Sequence, residues 1–296
     1  MIYTGIADEA GAPLATQLKA IRELGWSHLE LRGVSVDGEK AANVHDLPDA
    51  TFERLVEQVR GSGVAVHTFA SAIANWGTRI NEPFDRTLAE VARAIPRMQA
   101  LGTRYARIMS FAVKPGEDLL EAERFRRLRE IVARFADAGL VALHENCMNY
   151  GGLGAPQTLR LVEEVPGLRL IFDPGNTIGT DDHAFPEGAR PKQSAWKFYN
   201  EVRDFVDYFH VKDAVWREVD GKPARVHTWP GEGAADVRRI LEDVLARGQV
   251  HTISIEPHIG GDPDQTGLTG AELAYHNFTA YGRRLNALVA ASPSSL

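Results

Sequence analysis

The chain has 296 residues, 44% of them hydrophobic and 25% charged, which is the composition of an ordinary folded protein long enough to bury a large core. Its net charge of −7 offers no basic face for a phosphate backbone, so neither nucleic acid nor an anionic membrane is an expected partner. The single cysteine excludes an intrachain disulfide, and the lack of an N-terminal apolar segment or a long apolar run makes a cytoplasmic setting the expectation.

Short apolar runs rich in β-formers alternate with longer amphipathic stretches from one end to the other. The runs are IYTGIADE (2–9), SHLELRG (27–33), VAVHTFAS (64–71), YARIMSF (105–111), LVALHEN (140–146), LRLIFDPGN (168–176), VDYFHVKD (206–213) and HTISIEPH (251–258). Segments of helical periodicity separate them, at 13–25, 48–63, 82–102, 117–139, 155–165 and 233–248, several closed by a C-terminal glycine, and 269–291 supplies a last helix. Eight strand-helix units with no Pro-, Gly- or Ser-rich linker predict an α/β protein with one (β/α)₈ barrel over residues 1–290 and a frayed tail at 291–296. A doubly wound open sheet is the alternative. Three connections after strands exceed what the fold needs, at 72–83, 177–195 and 214–233. In the last of them Asp220-Gly221 signals a hairpin flap.

Four polar residues stand at the C-terminal ends of consecutive apolar runs: Glu145 in LHEN, Asp173 in FDPGN, His210 in FHVKD and Glu256 in IEPH. Neighbouring strands of a closed barrel bring them to one side of the mouth. Three carboxylates and an imidazole gathered there repel one another unless a cation is present, so one divalent metal ion is expected. Oxygen and nitrogen donors without thiolate suit Mn²⁺ first, with Mg²⁺, Co²⁺ and Zn²⁺ as alternatives.

Those strand ends also carry a resemblance. LHEN, FDPGN, FHVKD, PGEG (230–233) and IEPH are similar to the motifs of the sugar phosphate isomerase/epimerase family. These are xylose isomerase-like TIM barrels that include ketose 3-epimerases, hydroxypyruvate isomerase, inosose dehydratase and, more distantly, endonuclease IV. The resemblance covers about residues 2–285. It implies that Glu145, Asp173, His210 and Glu256 bind one metal and that Glu145 and Glu256 double as acid and base. It also implies a sugar substrate and a homo-oligomer. Removing a proton next to a carbonyl is slow because the enolate is unstable, and a metal bridging the carbonyl and a neighbouring hydroxyl stabilises that charge as an enediolate. Two carboxylates on opposite faces give epimerisation, and one carrying the proton between adjacent carbons gives isomerisation.

The expected activity is therefore a divalent-metal-dependent epimerase or isomerase of a keto-sugar. A lyase of the same fold, either a dehydratase or a β-eliminating enzyme, is the alternative, and a non-catalytic sugar-binding barrel stands third. Further candidates for substrate contact are Lys212, which shares the parity of His210, and Glu30, which either meets substrate or pairs with Arg32 on the same face. His67 lies where the family often places a substrate-contacting histidine. Trp229 and His258 are candidates for the pocket wall, the tryptophan as an apolar platform for a sugar ring; Trp76 is open to the same role but is expected in the core, and Glu232 is expected to have a structural role. Departures from ketose 3-epimerases mark substrate divergence. Asn176 stands where they carry a histidine, Trp216 followed by Arg217 where they carry an arginine, and Cys147 where relatives often have histidine. With no histidine in RIMSF and Asn176 in place of another ligand, three zinc ions cannot be assembled as in endonuclease IV. No glycine-rich phosphate cradle is present, which favours an unphosphorylated sugar. Alternation turns His144 away from the mouth, leaves Asn146 to brace the strand end, and makes Cys147 a poor nucleophile beside carboxylates.

Overall fold

A computed structural model describes residues 1–114 and 116–292. Eight parallel strands form the barrel: β1 (Ile2–Gly5), β2 (His28–Leu31), β3 (Ala65–Ala70), β4 (Tyr105–Ile108), β5 (Val141–Glu145), β6 (Arg169–Phe172), β7 (Val206–Val211) and β8 (Thr252–Ile255). They are ordered β1-β8-β7-β6-β5-β4-β3-β2. The seam between β1 and β2 is closed by a parallel bridge between Ile6 and Glu30 and by Thr4 Oγ1 donating to the His28 carbonyl at 2.9 Å. The fold is a (β/α)₈ barrel, as the alternation predicts.

The helices α1 (Leu14–Glu23), α2 (Asp49–Arg60), α3 (Asp85–Leu101), α4 (Glu121–Asp137), α5 (Ala155–Glu164), α6 (Ala195–Val202), α7 (Val237–Arg247) and α8 (Gly270–Ala290) form the outer ring. Each lays one stripe on the sheet, as Phe52, Leu55, Val56 and Val59 of α2 do at helical spacing. The main hydrophobic core therefore lies between sheet and helices, and a smaller apolar plug of Leu143, Ile171 and Tyr208 fills the barrel interior. Strands covered on both sides read as nearly continuous apolar runs, which is why they are legible in the sequence. Of the expected frayed tail, 293–296 lie outside the described residues, whereas Ser292 is buried and donates to the Leu288 carbonyl at 3.0 Å. Among the described residues no helix is long and apolar enough to cross a membrane.

The register is not uniform. Between β2 and β3 the partners run Leu29↔Val66 and then Glu30↔Thr68, so β3 carries one extra residue, His67. After β7 the chain turns back as an antiparallel hairpin, Asp213–Val219 with Lys222–Thr228, through Asp220 and Gly221 at φ 52° and 73°. This hairpin forms a flap over the mouth.

Candidate metal centre

Glu145 ends β5, Asp173 follows β6, His210 lies on β7 and Glu256 follows β8. All four are buried, and each offers one ligand atom such that these atoms lie within 4.8 Å of one another. His210 Nδ1 faces Glu145 Oε1 at 3.5 Å, Glu256 Oε2 at 3.7 Å and Asp173 Oδ2 at 4.0 Å, and it makes no hydrogen bond. A buried ring nitrogen without a partner, turned toward three carboxylate oxygens, is the donor arrangement a divalent cation needs. Burial disfavours an imidazolium, yet Glu30 and Glu145 outweigh it and raise His210 to about 10. The cluster therefore attracts positive charge, and the residues fit a metal.

The cluster is braced from below and from the sides. Glu30 Oε2 accepts from His210 Nε2 at 3.1 Å, from Tyr208 OH at 2.8 Å and from Ser254 Oγ at 2.8 Å. Asn146 donates to the Asp173 carbonyl at 2.8 Å and accepts from its N–H at 2.7 Å, which locks the ends of β5 and β6 together. Asn176 donates to Glu145 Oε1 at 3.2 Å and to the Asn146 carbonyl at 3.0 Å. A Cβ at Gly175 would lie 2.6 Å from Lys212 Cγ, so glycine there makes room for the lysine.

Permanent cations surround the carboxylates. Lys212, which is buried, reaches Asp173 Oδ2 at 2.7 Å and Glu256 Oε2 at 2.6 Å. Arg107 Nη1 lies 3.1 Å from Glu145 Oε2, and Arg32 donates to Glu256 Oε1 at 3.0 Å while also pairing with Asp8 and Glu9. Burial works against ionisation of Glu145, but Arg107 and His210 prevail and hold it down at about 2. For Asp173, burial prevails over Lys212 and pushes the carboxyl up. Cys147 is pushed up to about 12, first by burial and then by Glu145, which leaves it a thiol.

Other expected positions are corrected. Glu30 is fully buried under His210 and does not pair with Arg32, because the barrel interior between β2 and β7 brings it to the imidazole instead. His67 does not reach the mouth. The extra residue in β3 leaves it in the bottom layer, bonded to Thr252 Oγ1 at 3.1 Å and stacked on Tyr105 at 5.1 Å. Arg217 is exposed on the outer side of the flap, opposite Ala224, and Arg225, paired with Trp216, takes the inner side and donates to the Gly175 carbonyl at 2.8 Å. Trp229 packs on Tyr281 with Arg284 over its ring, away from the cavity. Trp76, expected in the core, is 55% exposed at the mouth. Glu232 is exposed, and the PGEG loop is organised by buried Asp213, which accepts from the N–H groups of Gly231, Gly233 and Ala235. His144 needs no correction: it is turned toward the helices as alternation predicts, buried, with Nε2 at 2.9 Å from Ser110 Oγ.

The mouth is a cavity of about 410 Å³, within the range of small-molecule sites, and Glu145, Asn176, Lys212, Glu256 and His258 lie on its wall. Sequence reading missed Arg107, Arg225 and the Asp8–Glu9 pair that holds Arg32. Arg107 had a signal, since a guanidinium at the parity of Tyr105 inside an apolar run has to point into the barrel.

No curated protein matches the chain. Solved structures do, at low identity. A xylose isomerase-like TIM barrel protein from Mycobacterium smegmatis in complex with magnesium is 16% identical, with 98% of this chain and 97% of that one covered and a TM-score of 0.67. The probable 3-DHS dehydratase of petrobactin synthesis from Bacillus anthracis is 17% identical over 97% and 99% of the two chains, with a TM-score of 0.67. The 3-keto-D-glucoside 4-epimerase of E. coli is 16% identical over 96% and 99%, with a TM-score of 0.62. At these identities the likeness shows the fold. The family model of the xylose isomerase-like TIM barrels matches residues 18–276, and the chain belongs to that family.

Proposed function

We propose that this protein is a divalent-metal-dependent epimerase or isomerase of a keto-sugar, working by proton abstraction next to a carbonyl. The observation that carries the reading is the convergence of Glu145, Asp173, Glu256 and the unpartnered His210 Nδ1 at the barrel mouth. A divalent ion held there, Mn²⁺ before Mg²⁺, Co²⁺ or Zn²⁺ for this donor set, would supply positive charge against the oxygens of a carbonyl and its neighbouring hydroxyl as negative charge develops.

The remaining steps belong to the chain. Glu145 and Glu256 come from β5 and β8, on either side of Asp173 and His210 in the strand order. A sugar laid over the cluster presents one face to each glutamate, so one takes the proton from carbon and the other returns one to the opposite face. Arg107 and Arg32 fix the outer oxygens of these two carboxylates, and Lys212 is placed to donate to a substrate oxygen. The small neutral Asn176 at the cluster edge and the lack of a phosphate cradle favour an unphosphorylated sugar.

Elemental analysis of the purified protein beside a Glu145→Gln, Glu256→Gln double variant tests the metal, and absence of near-stoichiometric divalent metal from the wild type overturns the reading. Keto-sugars incubated with the protein in deuterated water and followed by NMR test the reaction. Deuterium at an inverted or adjacent carbon is expected, while an unsaturated product would make the protein a lyase.

A further inference from the structure

We propose that the mouth holds an apolar subsite beside the ligand cluster, built on Trp76 and Met148, which takes the hydrophobic group of a substrate larger than a free monosaccharide: a glycoside with an aryl or alkyl aglycone. This rests on the sugar reading given above.

Trp76 is 55% and Met148 65% exposed, and both line the same cavity as Glu145 and Glu256. Large apolar side chains standing in water inside a concave site have forgone burial, which is the mark of a surface kept for a ligand. They come from the loops after β3 and β5, and Met109, following β4, lies between them on the cavity wall. Three consecutive strand ends thus supply one apolar wall. The facing wall, with Arg32, Arg225 and His258, is polar.

The exposed tryptophan of the flap, by contrast, is accounted for within the protein: the Trp216 indole N–H donates to the Ile178 carbonyl at 3.2 Å and Lys192 lies 5.2 Å over its ring. Among the described residues, nothing comparable holds Trp76. Its indole makes no hydrogen bond and its ring meets no other ring or cation. It therefore offers a flat apolar face with one free donor, which suits a ring bearing an oxygen substituent. Met148 is unbranched and adaptable, and can close on such a ring from the other loop. It stands three positions after Glu145, a span of at most about 10 Å, so one molecule can reach both.

Phenyl and methyl β-D-glucopyranoside, which differ only in the aglycone, provide the test. Their binding to the Mn²⁺-loaded protein, read by saturation-transfer NMR and competition, is expected to favour the phenyl glycoside about tenfold, with the strongest transfer to its aromatic protons. Trp76→Phe should keep this preference and Trp76→Ala, Met148→Ala should lose it. Equal or undetectable binding of the two glycosides, or a preference that survives in the double alanine variant, overturns the subsite. Mn²⁺ stoichiometry, measured in parallel, is expected to be unchanged in these variants. Loss of metal from the wild type would instead count against the proposed function. Sedimentation closes the remaining outcome: a wild-type dimer that the double variant converts to monomer would show the rim covered by a second copy and overturn the proposal.

Discussion

Glu30 accepts a hydrogen bond from His210 Nε2 at 3.1 Å, and this contact leaves the opposite ring nitrogen, Nδ1, aimed at Glu145, Asp173 and Glu256. A carboxylate behind an imidazole fixes both the tautomer and the plane of the ring, and it makes the free nitrogen a better donor to a cation. Glu30 is itself fixed by Tyr208 and Ser254, so the ring has little freedom to turn. Glu30→Gln is therefore expected to lower divalent metal affinity about 10- to 100-fold. Titration with Mn²⁺, followed by electron paramagnetic resonance, measures it. An unchanged affinity would show that Glu30 serves packing alone, and circular dichroism confirms that the variant is folded.

Asp213 plays the corresponding role for the loop before α7. Its buried carboxylate accepts from four backbone N–H groups, those of Ala214 at 2.9 Å, Gly231 at 2.9 Å, Gly233 at 3.0 Å and Ala235 at 3.1 Å. A Cβ at Gly233 would lie 2.0 Å from Asp213 Oδ1, so the loop closes on the carboxylate only with glycine there. Asp213→Ala strands several of these donors together, and a loss of at least about 2 kcal/mol is expected by urea denaturation. A loss below about half a kilocalorie per mole would mean that water replaces the carboxylate without penalty.

Arg225 ties the flap to the loop that carries Asp173 through its bond to the Gly175 carbonyl. The flap's other side-chain hydrogen bond to that loop is the one from the Trp216 indole to the Ile178 carbonyl at 3.2 Å. One such bond contributes on the order of 1 kcal/mol, so Arg225→Ala should speed hydrogen exchange of the flap amides about fivefold. Global stability and Mn²⁺ affinity are expected to stay as they are. Flap exchange equal to the wild type would show that the hairpin stands without this tether.

What the sequence revealed follows from which constraints are local. The strand runs are apolar because both faces of each strand are covered, and the four residues of the cluster stood out because a carboxylate or an imidazole at the end of such a run has no packing use. Contacts across the barrel interior are not local. Glu30 meets His210 only because β2 and β7 face each other through the closed sheet, and no spacing along the chain encodes that distance. The flap shows the same limit at shorter range. Arg217 was the residue expected there, and only the register, which sets Trp216 against Arg225 and Arg217 against Ala224, decides which guanidinium turns inward. Trp229 was drawn to the outer ring because Asp213 folds its loop back toward α8.

His67 is the position where one unforeseen residue changed the reading, and it yields a pH prediction. The bulge leaves it in the bottom layer of the barrel, with Nε2 on Thr252 Oγ1, Nδ1 on Thr68 Oγ1 and its face on Tyr105. Burial lowers its pKa from 6.5 to about 4. As pH falls below 6.5 the unfolded chain takes up the proton first, so the stability present above 6.5 declines through the window from 6.5 to 4 and then levels off. The loss assignable to this ring is on the order of 3 kcal/mol at the bottom of that window. His144 and His227, both also lowered to about 4 by burial, steepen the wild-type profile, so the comparison has to be made by difference. His67→Gln keeps hydrogen-bonding groups toward both threonines and cannot titrate. From pH 7.5 down to about 4 the stability of the wild type minus that of the variant, measured by urea denaturation, should fall by on the order of 3 kcal/mol, whatever its value at neutral pH. Parallel profiles would mean that the imidazole accepts its proton in the folded barrel, and that the bottom layer is wetter than its burial implies.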